Sequence, residues 1–203
     1  MASQNGARSA KSDERTYCAF FYGTLMVPEV FYSVCYLDKN PPKAITKLHT
    51  FHPAILPGYC RRRVKYADYP GIVADNGHQV FGTYATGLTR ANMAKLDFFE
   101  GRQYERRTVT VTVLPGQPGN PKGQANIQGK EEKAEVYVFL DPRELEEEEW
   151  DLEEFRREKL RFWTRGGHAF EDCDPTDTAA VAGAESDAEA GAERADSSIA
   201  QAN

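Results

Sequence analysis

The sequence predicts an α+β domain: a strongly curved mixed sheet or small β-barrel flanked by helices. Three observations carry that reading. Apolar and aromatic runs such as Tyr17–Tyr22 and Phe51–Leu56 are cut by Gly or Pro, which is how strands are bounded. Thr108–Val113 alternates polar and apolar without a break, the pattern of a strand with one buried face. Stretches with helical periodicity lie between such runs, as a mixed fold requires.

The 203 residues allow one domain with a substantial core, and 40% hydrophobic with 28% charged residues is ordinary for a globular protein. Residues 1–16 are polar and read as a disordered lead, 17–168 as the domain, and 169–203 as an acidic disordered tail. With no apolar signal segment and no run long enough to span a bilayer, the expectation is a cytoplasmic protein without membrane contact. Nine acidic residues and one Arg lie beyond residue 170, so the net charge of -6 belongs to the tail and says little about the substrate. Cys18, Cys35, Cys60 and Cys173 are scattered, and His49 and His52 flank Phe51 at a strand start, so neither set suggests a metal site.

Tyr17–Tyr22 forms the first strand, stopped by Gly23; Pro28 then opens a helix carrying Val30, Phe31, Val34 and Leu37 inward. A strand that ends in Gly before a helix aims backbone N–H groups forward and can hold an anion, or the Gly can simply permit a turn. Strands over Phe51–Leu56 and Tyr59–Val64 are expected around a turn at Pro57-Gly58, and a hairpin at Asp75-Asn76-Gly77 joins Ile72–Ala74 to Val80–Thr86. Arg61–Arg63 reads as a solvated strand face, not a nucleic-acid site, because the body is near neutral and no aromatic platform is interleaved. A strand from Tyr104 to Leu114 precedes a mobile loop at about 115–133, a strand at Ala134–Leu140, and an acidic amphipathic helix over Glu144–Thr164 whose Glu146–Glu149 run is a solvated face.

Arg90–Glu100 is the most fully specified helix. Thr89 is an acceptable N-cap, and Gly101 suits a C-terminus that needs positive φ. Met93, Leu96 and Glu100 then share one stripe, which sets a carboxylate on an apolar face. Burial and the negative end of the helix dipole both raise its pKa towards a value useful for proton transfer. The plain alternative is a frayed last turn with Asp97 and Glu100 solvated.

Tyr22-Gly23-Thr24-Leu25 after the first strand, Tyr69-Pro70-Gly71-Ile72-Val73, Val80-Phe81-Gly82-Thr83-Tyr84, Leu88-Thr89, and Leu96-Asp97-Phe98-Phe99-Glu100-Gly101 through Tyr104-Glu105-Arg106 together resemble the γ-glutamylcyclotransferase-like superfamily, most nearly its plant avirulence-induced-gene branch and similar fungal proteins. The resemblance spans roughly Phe20 to Leu140. It implies a small mixed barrel with a cavity in which Tyr22, Gly23, Thr24 and Leu25, extending through Met26 and Val27, hold a γ-glutamyl group. It further implies Glu100 as the acid/base, with Tyr104 and Tyr137 as pocket tyrosines and Asp97 left as a structural helix-end residue. The long loop and the acidic extension depart from the pattern and leave substrate identity and protein partners open.

The implied chemistry converts a γ-glutamyl amino acid, peptide or amine to 5-oxoproline and a free amine, with no metal or cofactor. A rival expectation is a non-catalytic ligand-binding or scaffold protein that keeps the same pocket. Nucleic-acid binding through Arg61–Arg63 is a third and is set aside.

Overall fold

The structure, a computed structural model, describes residues 16–116 and 129–163. The expected lead and tail, and the middle of the expected loop, lie outside the described residues. The elements in order are β1 (Tyr17–Phe21), α1 (Pro28–Tyr36), α2 (Lys43–Thr46), β2 (Thr50–Arg63), β3 (Pro70–Leu88), α3 (Arg90–Glu100), β4 (Tyr104–Val113), β5 (Lys130–Phe139), α4 (Leu152–Glu158) and α5 (Leu160–Trp163). The five strands close into a barrel in the order β1-β3-β2-β4-β5. All pairs are antiparallel except β5 with β1, a parallel seam at Ala19–Glu135. The mixed α+β fold expected from the sequence is the one observed.

Alternation along β1 divides the core in two. Ala19 and Phe21 face a cluster shared with the helices, including Phe31 of α1, Leu96 of α3 and Phe155 of α4. Phe20 and Tyr22 join Leu56, Ile72, Val111 and Val136, a cluster fed by every strand and therefore the barrel interior. Each large side chain buried here contributes about 1.5–3 kcal/mol.

Several local expectations are corrected. Pro57-Gly58 is not a turn: β2 runs straight through it, and the register shifts between Pro57 and Tyr59. Asp75-Asn76-Gly77 does not reverse the chain either. Leu56 pairs with Val80 and Tyr59 with Ala74, so the intervening residues bulge out of one long strand, held by the Asp75 carboxylate accepting from Gly77 N–H at 3.0 Å. The real β2–β3 hairpin turns at residues 64–69. Leu37 points outward, 76% exposed, because it adopts the left-handed conformation that ends α1. β5 begins at Lys130, four residues before the expected Ala134, since its polar start pairs with the Thr-rich face of β4; Lys133 Nζ donates to Thr110 Oγ1 at 2.7 Å.

The largest correction concerns the acidic segment. Residues 145–151 form an extended strap, and only Leu152–Glu158 and Leu160–Trp163 are helical. The strap lies along the end of β2, with Glu146 N–H donating to Arg63 O at 2.9 Å and Arg63 N–H to Glu148 O at 3.3 Å. The four adjacent glutamates have no basic residue three or four positions further along, so a helix there would form few ion pairs along its face. In the strap they meet the arginines instead. Arg61 pairs with Glu149 at 2.9 Å, and Arg63 with Glu154 at 2.9 Å and Glu146 at 4.0 Å. Two runs expected to be solvated are thus each other's partners in part. Among the described residues no helix is long and apolar enough to cross a membrane.

Candidate active site

Helix α3 aims Glu100 as the sequence predicts. Thr89 Oγ1 accepts from Asn92 N–H at 3.1 Å while Asn92 Oδ1 accepts from Thr89 N–H at 3.0 Å, a reciprocal cap that fixes the helix start. Met93 and Leu96 are buried on the face that Glu100 continues. At the other end Gly101 has φ 62°, with open space where a Cβ would stand, so backbone conformation and not crowding selects glycine there. A single 3-10 turn, Gly101–Gln103, then delivers the chain to Tyr104 at the head of β4.

The facing wall is the loop after β1. Thr24–Met26 forms a 3-10 turn closed by Met26 N–H to Gly23 O at 3.0 Å, and the leading amides of such a turn have no acceptor within it. Gly23 lies so close to Pro70 that an added Cβ would stand 2.8 Å from its Cγ. Behind the loop, Arg61 Nη1 donates to Tyr22 O at 2.9 Å while its guanidinium lies 5.5 Å from the Trp150 ring centre. The arginine therefore ties this loop to the acidic strap.

Between these walls is a cavity of about 560 Å³. Its lining includes Tyr22, Gly23, Thr24, Leu25, Glu100, Tyr104 and Tyr137, which brings together seven of the nine residues singled out in the sequence. Met26 and Val27 are not among the lining residues. Val27 is buried at the N-cap of α1, and Met26 packs against the same apolar cluster. The loop's contribution to the cavity ends at Leu25.

Hydrogen bonds hold the tyrosines. Tyr22 Oη donates to Tyr137 O at 2.7 Å, Tyr104 Oη to Pro70 O at 2.9 Å, and Tyr137 Oη to Asp97 Oδ1 at 2.8 Å. Asp97 also accepts from Arg106 Nη1 on both oxygens at 2.9 Å. Burial, reinforced by the carboxylates of Glu100 or Asp97, raises the phenol pKa of all three tyrosines, so they remain neutral donors. Glu100 is partly accessible, and that access is to the cavity. Burial, then the charge of Asp97, pushes its pKa up to about 8. A carboxyl poised there both accepts and returns a proton near neutrality.

Sequence reasoning did not find Tyr69, Pro70, Phe99 or Trp163 as lining residues, nor Arg61 behind the loop. Tyr69-Pro70 enters the sequence reading only within the motif Tyr69-Pro70-Gly71-Ile72-Val73 that carries the family resemblance. Phe99 follows from helical geometry once Glu100 is placed, but Trp163 depends on where the strap docks. Among the described residues there is no cluster of three or more metal-type ligands. His49 is a core residue whose ring nitrogens contact Tyr36 Oη and Thr86 O.

Comparison with known proteins supplies the family. The chain is 32% identical to Protein AIG2 C of Arabidopsis thaliana over 148 residues, 71% of this chain and 75% of that one. It is 30% identical to AIG2-like protein C of the same plant over 147 residues, 72% and 73% of the two chains. The solution structure of At3g28950.1 from Arabidopsis thaliana superposes with a TM-score of 0.51 at 25% identity, covering 96% of this chain and all of that one. Residues 19–156 match the family model described as gamma-glutamyl cyclotransferase, AIG2-like, and the chain belongs to that family.

Proposed function

We propose that the protein is a γ-glutamylcyclotransferase that closes a γ-glutamyl group to 5-oxoproline and releases the attached amine. The observation that supports this reading is the meeting of Glu100 with the Tyr22–Leu25 loop across one cavity. The α-amino nitrogen of the substrate attacks its own side-chain carbonyl carbon, the ring C–N bond forms, and the original amide C–N bond breaks. Ionised Glu100 takes a proton from the α-ammonium and delivers it to the departing nitrogen, while the second ammonium proton passes to solvent. A bound ammonium next to Glu100 favours the ionised carboxylate, which prepares the first transfer.

The rest is positioning. Holding the substrate folded supplies the effective-molarity advantage of intramolecular attack, several kcal/mol when the geometry is right. Amides of Thr24 and Leu25 suit the substrate carboxylate or the developing oxyanion, where one well-placed donor contributes about 3 kcal/mol. The neutral hydroxyls of Tyr22, Tyr104 and Tyr137 are spent on protein acceptors and shape the cavity.

The decisive experiment measures 5-oxoproline released from γ-glutamyl dipeptides, γ-glutamyl amines and glutathione. Wild-type protein turns over at least one of them, and Glu100→Gln lowers kcat by about 100-fold or more, the scale of a lost general base. Equal turnover by the two proteins overturns the role of Glu100. Binding without turnover across the panel returns the protein to the ligand-binding alternative.

A further inference from the structure

Resting on the cyclotransferase reading, we infer that Tyr66, Tyr69, Phe99 and Trp163 form the subsite for the leaving amine and select γ-glutamyl amides whose amine carries an apolar or aromatic side chain. All four line the cavity, and they come from three separate elements: the β2–β3 turn, α3 and α5. The Trp163 ring is their centre. It meets Tyr69 edge-on at 6.3 Å and Phe99 at 6.2 Å, and is backed by Phe155 at 5.7 Å. Phe99 and Glu100 both stand at the end of α3 and both line the cavity, so the aromatic wall and the acid/base share one chamber.

Charge separates an apolar amine from a cationic one. Asp68, the acidic lining residue nearest in the chain to Tyr69, is neutralised by Lys159 at 3.0 Å, and the cavity also carries the cationic Arg102. Among the described residues the only acidic lining side chains are Glu100 and the Lys159-paired Asp68, so a leaving amine with a second ammonium finds no spare carboxylate there. Tyr66 adds an independent sign. Its ring is fully exposed at the cavity, and its φ of 62° is a conformation that costs a non-glycine residue energy. Among the described residues that ring is left exposed at the cavity, where an apolar ligand group can pack on it.

The test is calorimetric binding to full-length Glu100→Gln, which holds substrate without consuming it. Probes are γ-glutamyl-phenylalanine, γ-glutamyl-glycine and Nε-(γ-glutamyl)-lysine. The phenylalanine compound binds at least about tenfold more tightly than the glycine compound, the discrimination an apolar pocket achieves for a few buried carbons. Trp163→Ala in the same background narrows that ratio, and so does Tyr66→Gly, which sits in solvent and cannot unfold the chain. Equal binding of all three, tightest binding of the lysine compound, no binding of any, or a ratio unmoved by both variants overturns the subsite. Preference in binding with no 5-oxoproline from wild type leaves the subsite standing and removes the cyclisation reading; turnover without preference does the reverse.

Discussion

At the scale of single residues, the position of Glu100 couples catalysis to stability through one proton. Its carboxyl ionises near pH 4.5 when unfolded but only near 8 when folded. Below the lower value both states are protonated and no difference arises. As pH rises from about 4.5 to 8, the unfolded chain ionises while the folded one holds its proton, so folding is progressively disfavoured. Glu100→Gln removes this penalty. Its melting temperature relative to wild type therefore climbs between pH 5 and 8, and a pH-independent difference in thermal scans would contradict the buried carboxyl. Asp97 acts on the same proton from outside. Replacing it with Asn removes a charge that raises the Glu100 pKa, so the acidic limb of kcat/KM against pH, where the base must ionise, moves to lower pH. The amide oxygen of Asn still accepts from Tyr137 Oη, so the substitution changes the charge and keeps that bond. A profile that falls in height without shifting would leave Asp97 a purely structural residue.

At the scale of elements, the loop after β1 is held from two sides. Gly23→Ala would press a methyl group against the Pro70 ring, costing about 1–3 kcal/mol by overpacking and displacing the amides that line the cavity. Denaturant unfolding and turnover should fall together. Arg61→Met withdraws the donor from Tyr22 O and destabilises by a similar 1–3 kcal/mol, the cost of an unpaired buried acceptor. Glu149→Gln should change stability by less than about 1 kcal/mol, because Glu149 is 73% exposed and its ion pair is a surface one. If the two variants lose equally, the arginine works through the ion pair and not through the loop.

Elements also show what was legible. Helix α3 could be read from Thr89, the Met93–Leu96–Glu100 stripe and Gly101, because caps and periodicity are local properties and here they agree with the packing. The same local rules misled at Pro57-Gly58 and Asp75-Asn76-Gly77. Turn chemistry fits a bulge as well as a reversal, and only the pairing of Tyr59 with Ala74 decides between them. Glu144–Thr164 failed for a different reason: its apolar spacing suits a helix, but unpaired amides at the end of β2 and two arginines compete for the segment and win.

At the scale of the molecule, the cavity is assembled from parts far apart in the chain. The loop at 22–25, the turn at 64–69, the end of α3, β5 and α5 converge only because the barrel closes. Periodicity could identify Glu100 and a glycine-stopped strand separately, yet the distance between them is a tertiary fact. In the sequence, only the order of the motifs taken as a set carries that link. Met26 and Val27 extend the same motif, yet past Leu25 the chain leaves the cavity and enters the core.

The strap has one further consequence, for spectroscopy. The chain contains two tryptophans, and both lie in its last described segment: Trp150, whose indole N–H donates to Asp68 O at 2.8 Å, and Trp163 at the cavity wall. Intrinsic indole emission excited at the red edge is therefore blind to most of the barrel. It reports the docking of residues 145–163 through Trp150 and the occupancy of the cavity through Trp163, giving a label-free titration signal that a Trp163→Phe substitution should silence while the response to unfolding survives.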